Sequence, residues 1–224
     1  MSWSNKVLHD KFFKQAKKAG YVSRAAFKLK EIQDKHKIIS PGGFVLDLGC
    51  APGAWLQVAC QELGPRKRGG LVLGVDIQDV KIPQKFCDDR VRVLQGDARD
   101  LTPQMLREHG PQGFDAVLSD MLPPTTGHAE IDVERSAELA SVALHIAVGY
   151  LFDKFEEERP PTDESGVLKA KGSLVMKIFE GSGTGEIVAD ARKYFEKISR
   201  VRPQATRKTS REFYLVCKSR KPAG

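Results

Sequence analysis

Short, almost continuously apolar runs alternate with stretches of helical character, and this alternation constrains the fold more than any other feature of the sequence. Five such runs, at residues 44–48, 71–76, 91–94, 114–119 and 173–179, indicate buried strands. Helices are predicted from residue 52 or 53 to 63, and at 102–109, 133–152 and 186–195. Apolar strands that alternate with helices predict an α/β fold whose parallel sheet has helices on both faces.

Both ends of the chain depart from the alternation. Residues 5–33 are predicted to be helical, with a break near Gly20 and a cap at Ser23. At the other end, two strands near 199–202 and 213–217 leave no room for a long helix between them, so one strand must be antiparallel.

The domain organisation follows from these patterns. A basic helical extension, residues 1–38, precedes a single domain over residues 39–224. Residues 153–172 are polar and include Pro160-Pro161, so they are expected to form an exposed loop or insertion.

Composition excludes several classes of protein. The chain has 224 residues, of which 41% are hydrophobic, which is enough for one domain with its own core. This composition excludes disordered, collagen-like and coiled-coil chains. No apolar run approaches 18 residues and no signal-peptide pattern is visible, so neither a membrane span nor secretion is expected. The four cysteines form no CxxC pair and have no histidine at zinc-ligand spacing, which predicts reduced thiols and no metal site.

Charge is distributed unevenly along the chain. The net charge is +7, yet residues 1–37 carry ten Lys/Arg against three acids, and residues 192–224 carry eleven against two. The middle, residues 38–191, therefore carries a net charge of −9. If the two basic ends meet in space they form one positive face, for which a phosphate backbone is the obvious partner, although solvated basic termini are the simpler alternative.

The loop after the first predicted strand is a candidate ligand site. Residues 47–53 read Asp-Leu-Gly-Cys-Ala-Pro-Gly, and Gly49 and Gly53 allow the backbone to approach a ligand closely. The third glycine of GxGxxG is missing and no GxxxxGK[ST] exists, so neither a pyrophosphate cradle nor a P-loop is supported.

Acidic residues end the next three strands: Asp76, Asp97 and Asp120. Each taken alone is more simply a helix cap or a surface residue. Together they repel polyphosphates and suit a nucleoside ligand that carries positive charge, such as S-adenosylmethionine.

Five ordered segments give the chain a family resemblance. They are Ser23-Arg-Ala-Ala-Phe-Lys-Leu29, Asp47-Leu-Gly-Cys-Ala-Pro-Gly-Ala-Trp55, Ser119-Asp-Met-Leu-Pro123 with Gly127, Val175-Met-Lys177 and Ser210-Arg-Glu-Phe-Tyr214. The sequence resembles the FtsJ-like (RrmJ-type) ribosomal RNA 2′-O-methyltransferases over residues 11–218. Two departures are Ala54, where bacterial members have a second glycine, and the longer 153–172 segment.

The resemblance implies a class I S-adenosylmethionine-dependent methyltransferase (Rossmann-like) fold, with a seven-stranded, mostly parallel sheet and one antiparallel strand. It also implies a catalytic tetrad of Lys28, Asp120, Lys177 and Glu212. The residues expected to hold S-adenosylmethionine are Asp47, Gly49, Pro52, Gly53, Trp55, Asp76, Asp97 and Asp120. Lys177 is expected to accept the hydroxyl proton or to orient the hydroxyl.

The expected RNA contacts come from both basic ends. They are Lys14, Lys17, Lys18, Arg24, Arg207, Lys208 and Arg211, which lie close in sequence to tetrad residues and would contact phosphates rather than read bases. The implied activity is 2′-O-methylation of a large-subunit ribosomal RNA ribose, an A-loop uridine, in large-subunit maturation. The alternatives are a transfer-RNA 2′-O-methyltransferase and a non-catalytic ribosome-assembly factor.

The remaining expectations concern partners and compartment. The expected partner is large-subunit ribosomal RNA or a pre-ribosomal large subunit, with the protein acting as a monomer and without a membrane. Ala54 favours an organelle, mitochondrion or plastid, over a bacterial-type cytoplasm.

Overall fold

The computed structural model describes residues 3–123, 126–149 and 166–222, with side chains from Lys11 onward. The helices are α1 (Trp3–Ala19), α2 (Ala25–His36), α3 (Ala54–Glu62), α4 (Pro103–Arg107), α5 (Ala129–Val148) and α6 (Thr184–Tyr194). The strands are β1 (Phe44–Leu48), β2 (Leu71–Asp76), β3 (Val91–Gln95), β4 (Phe114–Ser119), β5 (Leu168–Phe179), β6 (Phe195–Val201) and β7 (Glu212–Arg220).

All seven strands form one sheet in the order β3-β2-β1-β4-β5-β7-β6. Neighbours from β3 to β5 pair in parallel, whereas β7 is antiparallel to both β5 and β6. The predicted α/β class and the single antiparallel strand are confirmed. The strand order reverses between β1 and β4, where open α/β sheets place their ligands.

Helices cover both faces of the sheet, and each face has its own apolar core. One core packs α5 and α6 against residues such as Leu46 and Leu48. The other packs α2 and α3 against Val45 and its neighbours. Side chains alternate between the two faces along a strand, so Asp47 points to the α2/α3 side, into a fully buried environment.

The predicted N-terminal helix is two helices, with the break where it was expected. Gly20 has φ +90°, a left-handed conformation that ends α1, and Ser23 Oγ accepts a hydrogen bond of 3.1 Å from Ala25 N. From Ala16 onward the segment supplies side chains such as Leu29 to the second core. Residues 16–36 therefore pack as part of the domain.

One boundary of the predicted insertion is wrong. Strand β5 begins at Leu168, and Val167 and Leu168 are buried, so residues 168–172 belong to the sheet rather than to an exposed loop. The polar pattern of residues 168–172 predicted a loop because it includes lysines. Lys169 is accommodated in the strand, where its Nζ donates to the Asp115 carboxylate 3.0 Å away. Residues 153–165 lie outside the described residues.

The ends of several helices differ from the predicted ends by a few residues. The long helix begins at Ala129 and ends at Val148, where Gly149 with φ +95° follows it. The helix predicted over 102–109 is shorter, and α6 runs directly into β6 at Phe195. No described helix is long and apolar enough to cross a membrane, and the described residues contain no group of three or more potential metal ligands.

The fully buried side-chain amide of Gln57 joins three separate segments of the chain. Gln57 Oε1 accepts a hydrogen bond from Val22 N at 2.9 Å. Its Nε2 donates to Gly20 O at 3.0 Å and to Lys85 O at 2.9 Å. Helix α3 thereby holds both the α1–α2 turn and the loop between β2 and β3.

We expect Gln57→Leu to destabilise the protein by about 3 kcal/mol or more. It leaves three backbone groups without their partner, at about 1–3 kcal/mol for each one that stays buried. Thermal unfolding should report a Tm lower by at least about 6 °C. The matched control is Gln104→Leu on an exposed face of α4, which should leave the Tm within about 1 °C. Equal Tm values for the two variants would contradict this role.

Candidate active site

The structure brings the four tetrad residues together at one end of the sheet. Asp120 follows β4 directly, Lys177 lies near the end of β5, and Glu212 is the first residue of β7. Because β7 is antiparallel to β5, it starts at the end of the sheet where β5 ends. Lys28 reaches the same end of the sheet from the first turns of α2.

Lys177 is held by Asp120 through two contacts. Its Nζ donates to the Asp120 main-chain oxygen at 2.6 Å and lies 2.8 Å from Oδ1 of the same residue. Only 6% of Lys177 is exposed, so solvent competes little for these contacts.

Lys28 and Glu212 form the second ion pair of the site. Lys28 Nζ donates to Glu212 Oε1, and both side chains are almost entirely buried. Buried charges are tolerated when they are paired and hydrogen-bonded. Lys28 Nζ also lies 5.7 Å from the centre of the Tyr214 ring, a cation–π contact.

Tyr214 connects the two ion pairs, although the sequence analysis assigned it no role. Its hydroxyl donates to Asp120 Oδ1 at 2.6 Å, and it lies opposite Lys177 in the β5–β7 register. Its position two residues after Glu212 in a strand was the available signal, because such residues share one face.

The two central carboxyl groups have opposite pKa shifts. Burial alone would raise the pKa of Asp120, but Lys177 and Lys28, together with the hydrogen bonds from Lys177 and Tyr214, hold it below its usual range. Burial raises the pKa of Asp47 well above its usual range, and the charges of Asp120 and Asp76 raise it further. Both Asp47 carboxyl oxygens are buried without a hydrogen-bond partner.

The predicted cofactor residues other than Trp55 fall into two groups. Asp47, Gly49, Pro52, Gly53, Asp76 and Asp120 gather around the loop after β1. In that loop Asp76 Oδ2 accepts from Ala51 N at 2.9 Å. Asp97 lies after β3, caps a short turn and pairs with Arg99, which lowers the pKa of Asp97 to about 2.

The two loop glycines are required by packing. Gly49 has φ +75°, and a Cβ there would lie 2.9 Å from the backbone of Met121. Gly53 has φ +101°, and a Cβ there would lie 2.8 Å from Pro83. The loop therefore fits tightly between the residues after β4 and the β2–β3 loop.

These residues fit S-adenosylmethionine by charge. Asp47, Asp76 and Asp120 place carboxyl groups at the ends of three adjacent strands, and the buried oxygens of Asp47 have no protein partner. A ligand with a sulfonium and an ammonium group compensates such a cluster, whereas a polyphosphate would not.

Trp55 occupies a different place from the other predicted cofactor residues. Only 2% of it is exposed, and its Nε1 donates to Ala25 O at 2.9 Å. Its ring packs on Tyr214 with the centres 5.6 Å apart. The indole thus ties the start of α2, which carries Lys28, to Tyr214.

The structure brings the two predicted RNA-binding segments together. The pKa of Arg24 is lowered by partial burial and then by the charge of Arg207, so these residues from opposite ends of the chain are close in space. Lys14, Lys17 and Lys18 are exposed on α1, and Lys208 and Arg211 are exposed on the β6–β7 loop.

Comparison with known proteins matches nearly the whole chain. The family model described as FtsJ-like methyltransferase matches residues 21–220. Two relatives are named ribosomal RNA large subunit methyltransferase E. The one from Desulfatibacillum aliphaticivorans is 42% identical over 95% of this chain and 91% of its own. The one from Methanocaldococcus jannaschii is 38% identical over 96% of this chain and 80% of its own.

One solved structure shows the same fold. It is described as a ribosomal RNA methyltransferase from Plasmodium falciparum and superposes with a TM-score of 0.69 at 23% identity. The superposition covers 91% of this chain and all of that one.

We expect Asp47→Asn to stabilise the protein at neutral pH. A carboxyl group whose pKa is raised by folding weakens the fold as the pH rises above its unfolded pKa of about 3.9. The neutral amide has no such dependence. The variant's Tm should exceed that of the wild type by a few degrees at pH 7–8, and the difference should shrink towards pH 4. A difference that does not depend on pH would contradict this assignment.

We expect Trp55→Phe to impair turnover more than cofactor binding. The phenyl ring keeps most of the packing but cannot donate to Ala25 O, so α2 and Lys28 lose one anchor. Calorimetric affinity for S-adenosylmethionine should change less than about 3-fold, while methyl transfer slows about 10-fold or more, since small misplacements are costly. A loss confined to affinity would instead favour direct contact between the indole and the cofactor.

Proposed function

Because the chain belongs to the FtsJ-like methyltransferase family, we propose that it transfers a methyl group from S-adenosylmethionine to a ribose 2′-hydroxyl of large-subunit ribosomal RNA. The observation that carries the proposal is the buried network of Lys28, Asp120, Lys177 and Glu212 at the ligand-binding end of the sheet. An A-loop uridine, modified during large-subunit maturation, is the proposed target. The names of the relatives support the ribosomal substrate.

The chemistry needs a proton acceptor beside the ribose. A ribose hydroxyl is almost fully protonated at pH 7, so it is a weak nucleophile. When bound, S-adenosylmethionine supplies a methyl group on a positively charged sulfur. The new O–C bond forms as the S–C bond breaks, and the hydroxyl proton must move to a nearby base.

The geometry of Lys177 suits that role. The Lys177 ammonium has three hydrogens, and the two contacts with Asp120 use two of them. The third position is left for the ribose hydroxyl, which Lys177 orients or whose proton it accepts in exchange for its own. Asp120 therefore orients the amine, and Tyr214 in turn fixes the Asp120 carboxylate.

Lys28 and Glu212 serve to place the ribose. Lys28 of this ion pair contacts the Tyr214 ring, and the Tyr214 hydroxyl binds Asp120 of the first ion pair. The Lys28–Glu212 pair offers the ribose both a hydrogen-bond donor, the ammonium, and an acceptor, the carboxylate. A ribose offers hydroxyl groups that match both types. Positioning of this kind contributes much of the rate in displacement reactions.

The proposed cofactor and RNA contacts keep the residues implied by the family resemblance. The four acids Asp47, Asp76, Asp97 and Asp120 hold S-adenosylmethionine together with Gly49, Pro52, Gly53 and Trp55. The phosphates are held by Lys14, Lys17, Lys18, Arg24, Arg207, Lys208 and Arg211. In this arrangement the positive segments border the site while the acids line its cofactor side.

Lys177→Met tests the proposal. We expect the initial rate of methylation to fall by at least about 100-fold, because general base catalysis contributes about 10²–10⁴. The assay uses radiolabelled S-adenosylmethionine with undermethylated large subunits, naked large-subunit RNA and transfer RNA. Lys197→Met, on exposed strand β6, is the matched control and should retain wild-type activity. Cofactor binding by the variant shows that it remains folded.

The outcomes separate the alternatives. Label that maps to a 2′-O-methyl ribose of large-subunit RNA, and is lost in Lys177→Met, supports the proposal. Label on transfer RNA alone would identify a transfer-RNA enzyme. Cofactor binding without any transfer would identify an assembly factor.

A further inference from the structure

A groove between α1 and α2 lies outside the catalytic network. Phe27, Lys30, Glu31 and Asp34 recur along one side of α2 at helical spacing and form one wall. Phe12 of α1 forms the other wall, and Gln204 and Ala205 of the β6–β7 loop close the groove. Its volume is about 570 Å³, within the range of small-molecule sites.

The wall of the groove is aromatic and held in place. The rings of Phe12 and Phe27 lie 6.1 Å apart at 52°, and both side chains are only half-buried. Tyr21 supports Phe27 through an edge-on contact at 5.9 Å. Phe12 belongs to neither apolar core and contacts the second one only through Phe27.

The groove lies between the two basic segments. The β6–β7 loop that closes it also carries Arg207 and Lys208, and the charge of Arg207 helps to lower the pKa of Arg24, just before α2. Glu31 Oε2 fixes that loop by accepting from Gln204 N at 2.7 Å. Phe27 directly precedes Lys28 in the chain, so the groove begins next to the catalytic network.

An aromatic wall with a cationic border matches single-stranded nucleic acid. Such strands alternate an apolar base with an anionic phosphate, and proteins bind them by stacking and by positive charge. Within the groove Lys30 and Lys35 are balanced by Glu31 and Asp34, so the positive charge that would attract a phosphate comes from its border.

We propose that the α1–α2 groove binds an unstacked nucleobase of the RNA strand that carries the methylated ribose, stacked on Phe12 and Phe27. The inference rests on the proposed function for its substrate. Stacking here would hold the neighbouring nucleotide while Lys28 and Lys177 engage the ribose.

The test compares two adjacent phenylalanines. Phe12→Leu keeps an apolar side chain but removes the ring, and Phe13→Leu, at a position 52% exposed, is the matched control. Binding is measured by fluorescence anisotropy with a labelled single-stranded oligoribonucleotide and with an oligomer of equal length made of abasic ribose phosphates.

We expect Phe12→Leu to weaken binding of the base-bearing oligomer at least about 5-fold, the lower end of measured base–aromatic stacking. Binding of the abasic oligomer should not change, and Phe13→Leu should match the wild type with both. The salt dependence should also stay constant, because no phosphate contact is altered.

Two results would overturn the proposal: no effect of Phe12→Leu, or equal weakening of both oligomers. Failure of the proposed function would give a different result. The wild-type protein would then methylate no RNA, yet it would still bind the base-bearing oligomer more tightly than the abasic one.

Discussion

The antiparallel pairing of β7 with β5 is the constraint on which the rest of the site depends. It sets Tyr214 opposite Lys177 and Glu212 opposite Phe179. The end of β5 and the start of β7 therefore lie side by side at the same buried end of the sheet. A parallel β7 would end there instead of starting there. Lys28 and Lys177 then each find a carboxylate within hydrogen-bond distance, which is the condition under which buried ion pairs persist.

The local pattern of apolar and polar residues was sufficient to predict the α/β architecture. Five apolar runs became strands β1 to β5, four of them with ends within one residue of the prediction, because buried parallel strands need side chains that are apolar on both faces. The start of β5 was missed, since Lys169 to Lys171 are partly or fully exposed and interrupt the apolar pattern after the buried Leu168. The tetrad was predicted through the family resemblance, and the structure shows that its members meet.

The supporting contacts had no local signal. Tyr214 and Asp120 are 94 residues apart in the chain, and Trp55 and Ala25 are 30 apart. Neither contact follows from periodicity, because each depends on how helices and strands stack after the sheet forms. The resemblance implies that Trp55 is a cofactor residue, and the structure shows in addition that its indole joins the start of α2 to Tyr214. Sequence motifs thus point to the candidate site residues more readily than to the residues that hold them in place.

The three hydrogen bonds of Gln57 also bear on the order in which the chain acquires structure during synthesis. The α1–α2 turn emerges from the ribosome first, but its amide partner follows 35 residues later, and the third segment at Lys85 later still. Until all three are available, the basic N-terminal helices lack that anchor. A nascent chain therefore exposes its positive segment beside ribosomal RNA before the domain that restrains it exists.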